Sequence, residues 1–223
     1  MNFGLAFSYV FKDNDWFKKL AIAALFSLIP VVGQLVLVGW GLRVAKNVID
    51  GNKEYPLPNV SFGEDLSRGF MSMLITAIYT LPIAILFGLA SGIASFGVEA
   101  KKDVTMYILY ALGGCIGLVG LVAAILIVFL SVAALANYVA KGQFGAAFNL
   151  KQVFGLVKKS FLSWLLVIVG QILAMGIIAP LGSIACVIGV FLTMAYGTAV
   201  YSHLLGQAYN ASTEPVAGSV EVL

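Results

Sequence analysis

Apolar residues in this chain fall into five long stretches separated by short polar segments. The second stretch has 26 residues and as a helix would rise about 39 Å, enough to cross a hydrocarbon core of about 30 Å with some tilt. The fourth and fifth, separated only by Pro180 and Leu181, are predicted to form a tight helical hairpin. The five stretches are residues 20–42, 71–96, 104–140, 161–179 and 182–205. This pattern predicts an all-α fold, a polytopic bundle of membrane-spanning helices.

Pro30, Gly33 and Gln34 interrupt the first stretch, and two topologies follow. The stretch either crosses the membrane as a fifth, kinked span, or turns back at residues 30–33 as a re-entrant hairpin beside four full spans. With the hairpin, eleven of the thirteen Lys and Arg residues lie on one face of the membrane, and only Lys101 and Lys102 lie on the other. With a fifth span, eight of these basic residues lie on one face and five on the other. Because cytoplasmic loops are rich in Lys and Arg, we favour the re-entrant topology, with both termini in the cytoplasm.

Aromatic residues recur at helical spacing over residues 3–17, opposite a polar face that includes Asp13 and Asp15. This pattern is typical of an amphipathic helix lying in the membrane interface, aromatic side toward the lipid. Lysine pairs at a membrane boundary add about 1 kcal/mol of attraction to anionic lipid per basic residue. A site for one lipid headgroup needs several basic residues to converge, which sequence spacing does not reveal. The predicted interface anchors are Trp16, Lys18, Lys19, Lys158 and Lys159.

A polar connector over residues 50–68 separates the first two stretches. Its Pro56-Leu57-Pro58 run cannot continue a helix, whereas Ser61 and Glu64 have capping-box spacing, so a short helix is predicted to begin there. Residues 207–223 are small, polar and free of Lys and Arg, which predicts a flexible C-terminal tail. Residues 1–206 are interpreted as a single transmembrane domain.

The chain also resembles itself, which indicates an internal duplication into residues 1–140 and 141–206. Three short matches occur in the same order, at offsets that drift only from 141 to 137. They are FGLAF and FGAAF at Phe3 and Phe144, the lysine pairs at Lys18 and Lys158, and VGQL and VGQI at Val32 and Val169. The last match aligns Gln34 with Gln171, the candidate intramembrane polar contacts, since an amide in hydrocarbon seeks a partner across a helix interface. If the first stretch crosses the membrane, the two units are inverted, as in many transporters.

All thirteen Lys and Arg and all ten Asp and Glu residues lie outside the apolar stretches. A charge at bilayer mid-depth is costly and is kept mainly where function needs it, so an uncharged interior indicates a passive bundle. The sequence shows no set of nucleophile, base and acid, no metal-ligand spacing and no phosphate-binding loop. We therefore expect no enzymatic activity and no cofactor. The net charge of +3 is small, and nucleic acid is not an expected partner.

Two pairs of glycines lie four residues apart within the apolar stretches, Gly88 with Gly92 and Gly113 with Gly117. Such pairs let helix backbones approach closely in lipid. The simpler interpretation is packing between neighbouring spans of this chain. The alternative is a contact face for a partner membrane subunit.

Several segments of the first third resemble a family of small polytopic membrane proteins of bacteria and archaea, known as domain of unknown function 4013. They are residues 7–13 with Trp16 and Lys19, residues 28–34, residues 41–43, and the Leu57-Pro58 pair. The family's Trp after the Leu-Pro pair is replaced here by Phe62, and the later spans match mainly in hydropathy. The resemblance implies a prokaryotic integral membrane protein and carries over no activity or site residues.

These observations lead to two functional expectations. The first is a non-enzymatic, multi-pass protein of the inner (cytoplasmic) membrane, an accessory, scaffolding or lipid-organising subunit whose partners are membrane lipids and other membrane subunits or further copies of itself. The second is a transporter or channel for a small neutral or apolar solute, with Gln34 and Gln171 in the pathway. Proton coupling is disfavoured because no carboxylate or histidine is expected at mid-depth.

Overall fold

The computed structural model describes residues 1–51, 57–99 and 104–213, and these residues are mostly helical. Short 3₁₀ segments occupy Tyr9–Lys12, Phe144–Phe148 and Gly182–Ala185, and residues Ile172–Ile178 form a π-helical segment. The predicted all-α fold is confirmed. The α-helices are α1 (Phe3–Ser8), α2 (Trp16–Ser27), α3 (Val32–Ile49), α4 (Phe62–Glu99), α5 (Val104–Lys141), α6 (Leu150–Lys159), α7 (Phe161–Gln171), α8 (Ala179–Leu181) and α9 (Cys186–Thr213).

Within the described part of the chain, three helical segments are long and apolar enough to cross a membrane. They are Phe62–Val98, Val104–Lys141 and Phe161–Ile184. The second coincides with the predicted third stretch to within one residue. These segments indicate a multi-pass membrane protein.

The connector helix predicted at Ser61 is the first part of α4, not a separate short helix. The Ser61 N–H donates a hydrogen bond to Asp65 Oδ2 over 2.7 Å. Asp65 therefore takes the role predicted for Glu64, and an apolar sequence follows without a break, so the helix continues from the cap into the span.

The first apolar stretch folds into an antiparallel hairpin of α2 and α3. The chain reverses over residues 28–31, where Val31 adopts a φ of 63°, which is uncommon for a β-branched residue. Gly33 packs on the α2 backbone, where a Cβ would overlap the Phe26 carbonyl oxygen. At the open end, the Leu57 N–H donates to Asp13 Oδ2 over 2.6 Å. The segments that precede α2 and follow α3 thus meet.

The described residues group into two compact units, one made of Met1–Met73 with Val132–Leu223 and the other of Leu74–Ser131. In the first unit, α9 is the central helix, packed against α2, α3 and α7. α3 and α9 run parallel. A Cβ at Gly41 of α3 would lie 2.6 Å from Ser202 Oγ of α9. One turn further along both helices, a Cβ at Gly206 of α9 would lie 2.7 Å from the Ala45 carbonyl oxygen of α3. Because α9 is surrounded by protein, it tolerates buried polar side chains. Those side chains include Thr198, Ser202, His203 and Gln207.

The reversal between the fourth and fifth stretches lies slightly later than predicted. Helical structure continues through Pro180 in α8, and the chain turns at Gly182–Ala185. Pro180 lies where the π-helical segment passes into α8. Glycine permits the close turn, because a Cβ at Gly182 would overlap the backbone of Gly189.

The N-terminal segment is not the single interfacial helix that the aromatic spacing predicts. α1 ends at Ser8, and α2 begins only at Trp16. Tyr9 and Val10 are buried, and the Tyr9 ring stacks on His203 of α9 at a centroid distance of 4.2 Å. Part of the predicted lipid-facing surface therefore packs on protein.

α9 also extends beyond Gln207, where the flexible tail was predicted to begin, and ends at Thr213. The Asn2 N–H donates to Gln207 Oε1 over 2.6 Å, and Gln207 Nε2 donates to the Asn2 carbonyl over 3.0 Å. Asn210 donates to the Val48 carbonyl over 2.8 Å. These contacts tie this part of α9 to the rest of the unit. The remainder of the predicted tail lies outside the described residues.

The second unit, Leu74–Ser131, is an antiparallel hairpin of parts of α4 and α5. A Cβ at Gly113 would lie 2.9 Å from the Ala90 carbonyl oxygen, and Gly117 faces the same alanine. Among the described residues, no atom lies within 4 Å of a Cβ placed at Gly88 or Gly92. The structure therefore separates the two predicted glycine pairs: one packs inside the hairpin and the other is open.

Two of the three segments matched in the predicted internal repeat can be compared in the structure. The FGLAF and FGAAF segments both form short helical turns, with the Phe3–Phe7 ring centroids 5.3 Å apart and the Phe144–Phe148 centroids 5.1 Å apart. Gln34 lies at the start of α3, whereas Gln171 ends α7. The aligned glutamines therefore do not occupy equivalent helices.

Candidate functional site

α3 and α4 cross at two glycines that bring charged residues together. A Cβ at Gly39 would overlap the Asp65 carbonyl oxygen, and one at Gly69 would overlap the Leu35 carbonyl oxygen. Backbones can approach this closely only where both positions are glycine. The contact places Arg43, one turn after Gly39, beside Asp65, one turn before Gly69.

Arg43 and Asp65 form a bidentate ion pair in the interior of this crossing. Arg43 Nε donates to Asp65 Oδ1 over 2.6 Å, and Nη2 donates to Oδ2 over 2.9 Å. Asp65 is completely buried. Arg43 Nη2 also donates to the Asn59 carbonyl, so the pair fixes the connector. A buried pair of this geometry is costly to break, since either partner alone is an uncompensated charge.

Asp13 anchors the same connector from the N-terminal segment. Its carboxylate accepts hydrogen bonds from Lys19 Nζ at 2.7 Å, from the Asp15 N–H at 2.8 Å and from the Leu57 N–H at 2.6 Å. Burial by itself raises the pKa of this carboxyl, but the three donors and the charge of Lys19 outweigh burial and lower its pKa below the ordinary 3.8. Asp13 was predicted to face water and is instead 8% exposed.

A cavity of about 230 Å³ lies in the first unit, beside the end of α5. Lys46 of α3 and Arg68 of α4 bring two cations to its wall, and Tyr138 of α5 brings a hydroxyl. Lys46 pairs with Asp50 at 2.6 Å and Arg68 pairs with Glu64 at 2.7 Å, and both carboxylates are about half exposed. Converging cations with a hydroxyl suit a negatively charged oxygen ligand. The remaining lining residues are Leu42, Val139 and Gly142.

This convergence was not predicted from the sequence. Lys46, Arg68 and Tyr138 come from three helices and are separated by 22 and 70 positions. The sequence does contain one feature that could have predicted the helix crossing. Gly39 lies four residues before Arg43, and Gly69 lies four residues after Asp65. A glycine one turn from a charged residue lets two helices approach closely enough for the charges to pair.

The predicted interface anchors lie at helix ends. Lys18 is exposed, whereas Lys19 is committed to Asp13. The Trp16 ring lies between Phe11 and Phe17, with centroids at 5.1 and 5.6 Å. Lys158 and Lys159 are both exposed in the last turn of α6, where cations suit the helix dipole.

The two candidate polar contacts lie in different surroundings. Gln34 Nε2 donates to the Ser27 carbonyl over 2.9 Å, across the α2–α3 turn. Gln171 is exposed on α7. The first glutamine closes a hairpin, and the structure does not bring the two together.

His203 lies in the core of the first unit. His203 Nδ1 shares a hydrogen bond with Gln207 Nε2 at 2.9 Å, and its ring stacks on Tyr9. Every buried side-chain nitrogen and oxygen among the described residues has a hydrogen-bond partner. Polar groups that are fully satisfied in this way specify packing. In the described part of the chain, no three His, Cys, Asp or Glu residues are grouped so as to hold a metal ion.

Comparison with known proteins identifies a family but no characterised relative. The family model described as Protein of unknown function (DUF4013) matches residues 22–191, and the chain belongs to this family. No curated protein matches the chain. No solved structure matches it either.

Proposed function

We propose that this DUF4013 protein is a non-enzymatic, multi-pass protein of the prokaryotic cytoplasmic membrane that serves as an accessory, scaffolding or lipid-organising subunit. The observation that carries the proposal is the open glycine pair of the second unit. Gly88 and Gly92 present bare backbone on a helix that exposes large apolar side chains together with the small hydroxyls of Ser91 and Ser95. Residues 74–98 and 104–131 contain no Asp, Glu, Lys or Arg. Such a surface suits close packing with another transmembrane helix.

For the topology, we propose four full spans and a re-entrant α2–α3 hairpin. α2 has 12 residues, about 18 Å of helix, which is too short to cross a hydrocarbon core of about 30 Å. Apolar side chains at the hairpin tip are exposed, Val31 at 71% among them, which suits insertion into lipid. α9 would serve as the fourth span, shielded from lipid by its neighbours.

Cysteine accessibility in intact cells tests this topology. With both native cysteines replaced, single cysteines at Asn14, Asn59 and Thr105 are labelled with a membrane-impermeant maleimide. The re-entrant topology places Asn14 and Asn59 on one face and Thr105 on the other. If the cysteines at positions 14 and 59 were labelled from opposite faces of the membrane, the first apolar stretch would cross the membrane.

Site-specific photo-crosslinking tests the subunit proposal. A photoreactive residue at Gly88 or Gly92 is expected to capture one defined transmembrane protein, or a second copy of this chain, in native membranes. Gly114 is the matched control, since a Cβ there also meets nothing within 4 Å among the described residues. Equal capture at Gly114, or a monodisperse monomer without bound protein or lipid after gentle extraction, would contradict the proposal.

A further inference from the structure

We infer that the cavity lined by Lys46, Arg68 and Tyr138 binds the phosphate group of an anionic phospholipid. The inference rests on the proposed membrane topology and deepens the lipid-organising role. Its site lies in the first unit, whereas the open glycine pair that carries the subunit proposal lies in the second. The two ideas can therefore fail separately.

The cavity offers the donors that a phosphate needs. Arg68 can present its guanidinium as a fork to two phosphate oxygens, and Lys46 adds a point charge from α3. Tyr138 adds a hydroxyl from α5. Leu42 and Val139 give the same cavity an apolar wall, which suits the glycerol and upper acyl region of a lipid better than a free ion.

The two cations are available, although each has a partner. Exposed i,i+4 ion pairs are worth a few tenths of a kcal/mol, and both of these pairs are of that kind. Glu64 lies 3.7 Å from Arg43 as well as beside Arg68, so it keeps a cationic neighbour when Arg68 turns to a ligand. Asp50 is half exposed and can return to water. Arg43 is different, because its bidentate bond to the buried Asp65 holds it in place.

The position along the helices indicates a lipid as the source of the phosphate. Arg68 lies three positions before the apolar run of α4. Tyr138 lies in the last turn of α5, after its apolar run, and Gly142 follows the end of that helix. When these helices span the bilayer, side chains at such positions reach headgroup level. Basic pockets between transmembrane helices on the cytoplasmic side are typical sites for anionic headgroups.

Lipid binding to the delipidated, full-length protein tests the inference. The protein in neutral detergent is titrated with phosphatidylglycerol, phosphatidylcholine or inorganic phosphate, and bound ligand is counted by native mass spectrometry. We expect one saturable phosphatidylglycerol per chain. Combined Lys46→Gln and Arg68→Gln substitutions should weaken it at least about tenfold, given roughly a factor of five per basic residue.

The matched control removes the same charge elsewhere. Lys158→Gln with Lys159→Gln, both exposed on α6, should change the affinity less than about twofold, and Arg68→Lys should retain part of it. Displacement of the lipid by millimolar inorganic phosphate, with the same dependence on Lys46 and Arg68, would support the phosphate site and assign it to a soluble ligand.

Two results would overturn the inference. One is equal loss of affinity in the α6 control, which would show diffuse attraction to charge. The other is unsaturable binding, or no preference for phosphatidylglycerol over phosphatidylcholine, in the unsubstituted protein. The second result needs no variant, so the inference can be tested even if the double variant does not fold.

Discussion

α9 and the part of α5 within Leu74–Ser131 are both long apolar helices, but their side chains meet different surroundings. α9 buries Ala195, Ala199 and Leu204 completely against protein, together with hydrogen-bonded polar groups. In α5, Leu118, Val122 and Leu126 are each about 60% exposed. An apolar sequence alone does not distinguish these cases, because a helix inside a bundle and a helix facing lipid both avoid water.

The difference shows what holds each unit together. The first unit depends on polar contacts that join distant segments, such as Arg43 with Asp65 and Asp13 with Leu57. The second depends on small residues that allow α4 and α5 to approach, as at Gly113. Substitutions that remove charged partners should therefore act on the first unit, whereas added bulk at glycine tests the packing of α4 on α5 in the second unit, as it also would at Gly39 and Gly69 in the first.

Loss of the Asp65 carboxylate is expected to have the largest effect. Asp65→Ala leaves Arg43 without its buried counter-charge and should destabilise the protein by about 3–5 kcal/mol, measured as the shift in thermal unfolding in detergent. Glu64→Gln is the control, since Glu64 is about half exposed and should cost less than about 1 kcal/mol. Adding Arg43→Met to Asp65→Ala should recover stability; no recovery would mean that packing, not charge, holds the crossing.

Asp13→Asn is expected to cost about 2–3 kcal/mol near neutral pH, because hydrogen bonds to a charged group are lost. The pKa of Asp13 is lower in the folded protein than its ordinary 3.8, so its stabilisation is complete above that value and is lost as the pH falls through the lowered pKa. Thermal unfolding at pH 7, 5, 4 and 3 should show the variant and the unsubstituted protein converging at the acidic end. A constant difference across this range would show that the charge of Asp13 contributes nothing.

The sequence predicts the helices well, because a run of apolar residues long enough for a membrane is a local property. α5 was predicted to within one residue of its end. The α2–α3 hairpin also has a local cause, since Pro30 and Gly33 interrupt the helix where the chain reverses. The charged contacts have none: Arg43 and Asp65 are 22 positions apart, and Asp13 and Leu57 are 44 apart. Their pairing depends on which helices cross, and hydropathy carries no information about that.

Gly113→Leu is expected to destabilise the second unit by about 1–3 kcal/mol, because a side chain there must push away the Ala90 backbone. Gly114→Leu, one position along α5, points into open space and should be nearly neutral. Disulfide formation between cysteines introduced at Gly97 and Leu109, whose Cβ atoms would lie 3.5 Å apart, reports directly on the hairpin. Equal crosslinking in both variants would show that close glycine packing does not hold α4 and α5 together.

Gln34→Leu and Gln171→Leu should have the smallest effects, and together they separate the subunit proposal from the transporter alternative. Loss of the Gln34 bond to the Ser27 carbonyl should cost about 1 kcal/mol, whereas Gln171 is exposed on α7 and its replacement by leucine should be nearly neutral. If the protein acts by packing, the double variant should keep its partner crosslinks at Gly92, and reconstituted vesicles should show the same flux of small neutral solutes with and without the substitutions.

A double variant that unfolds at the normal temperature but abolishes solute flux would instead establish the glutamines as part of a transport pathway. The two helices that carry them would then differ from the rest of the first unit, because their polar side chains would serve a solute and not the fold.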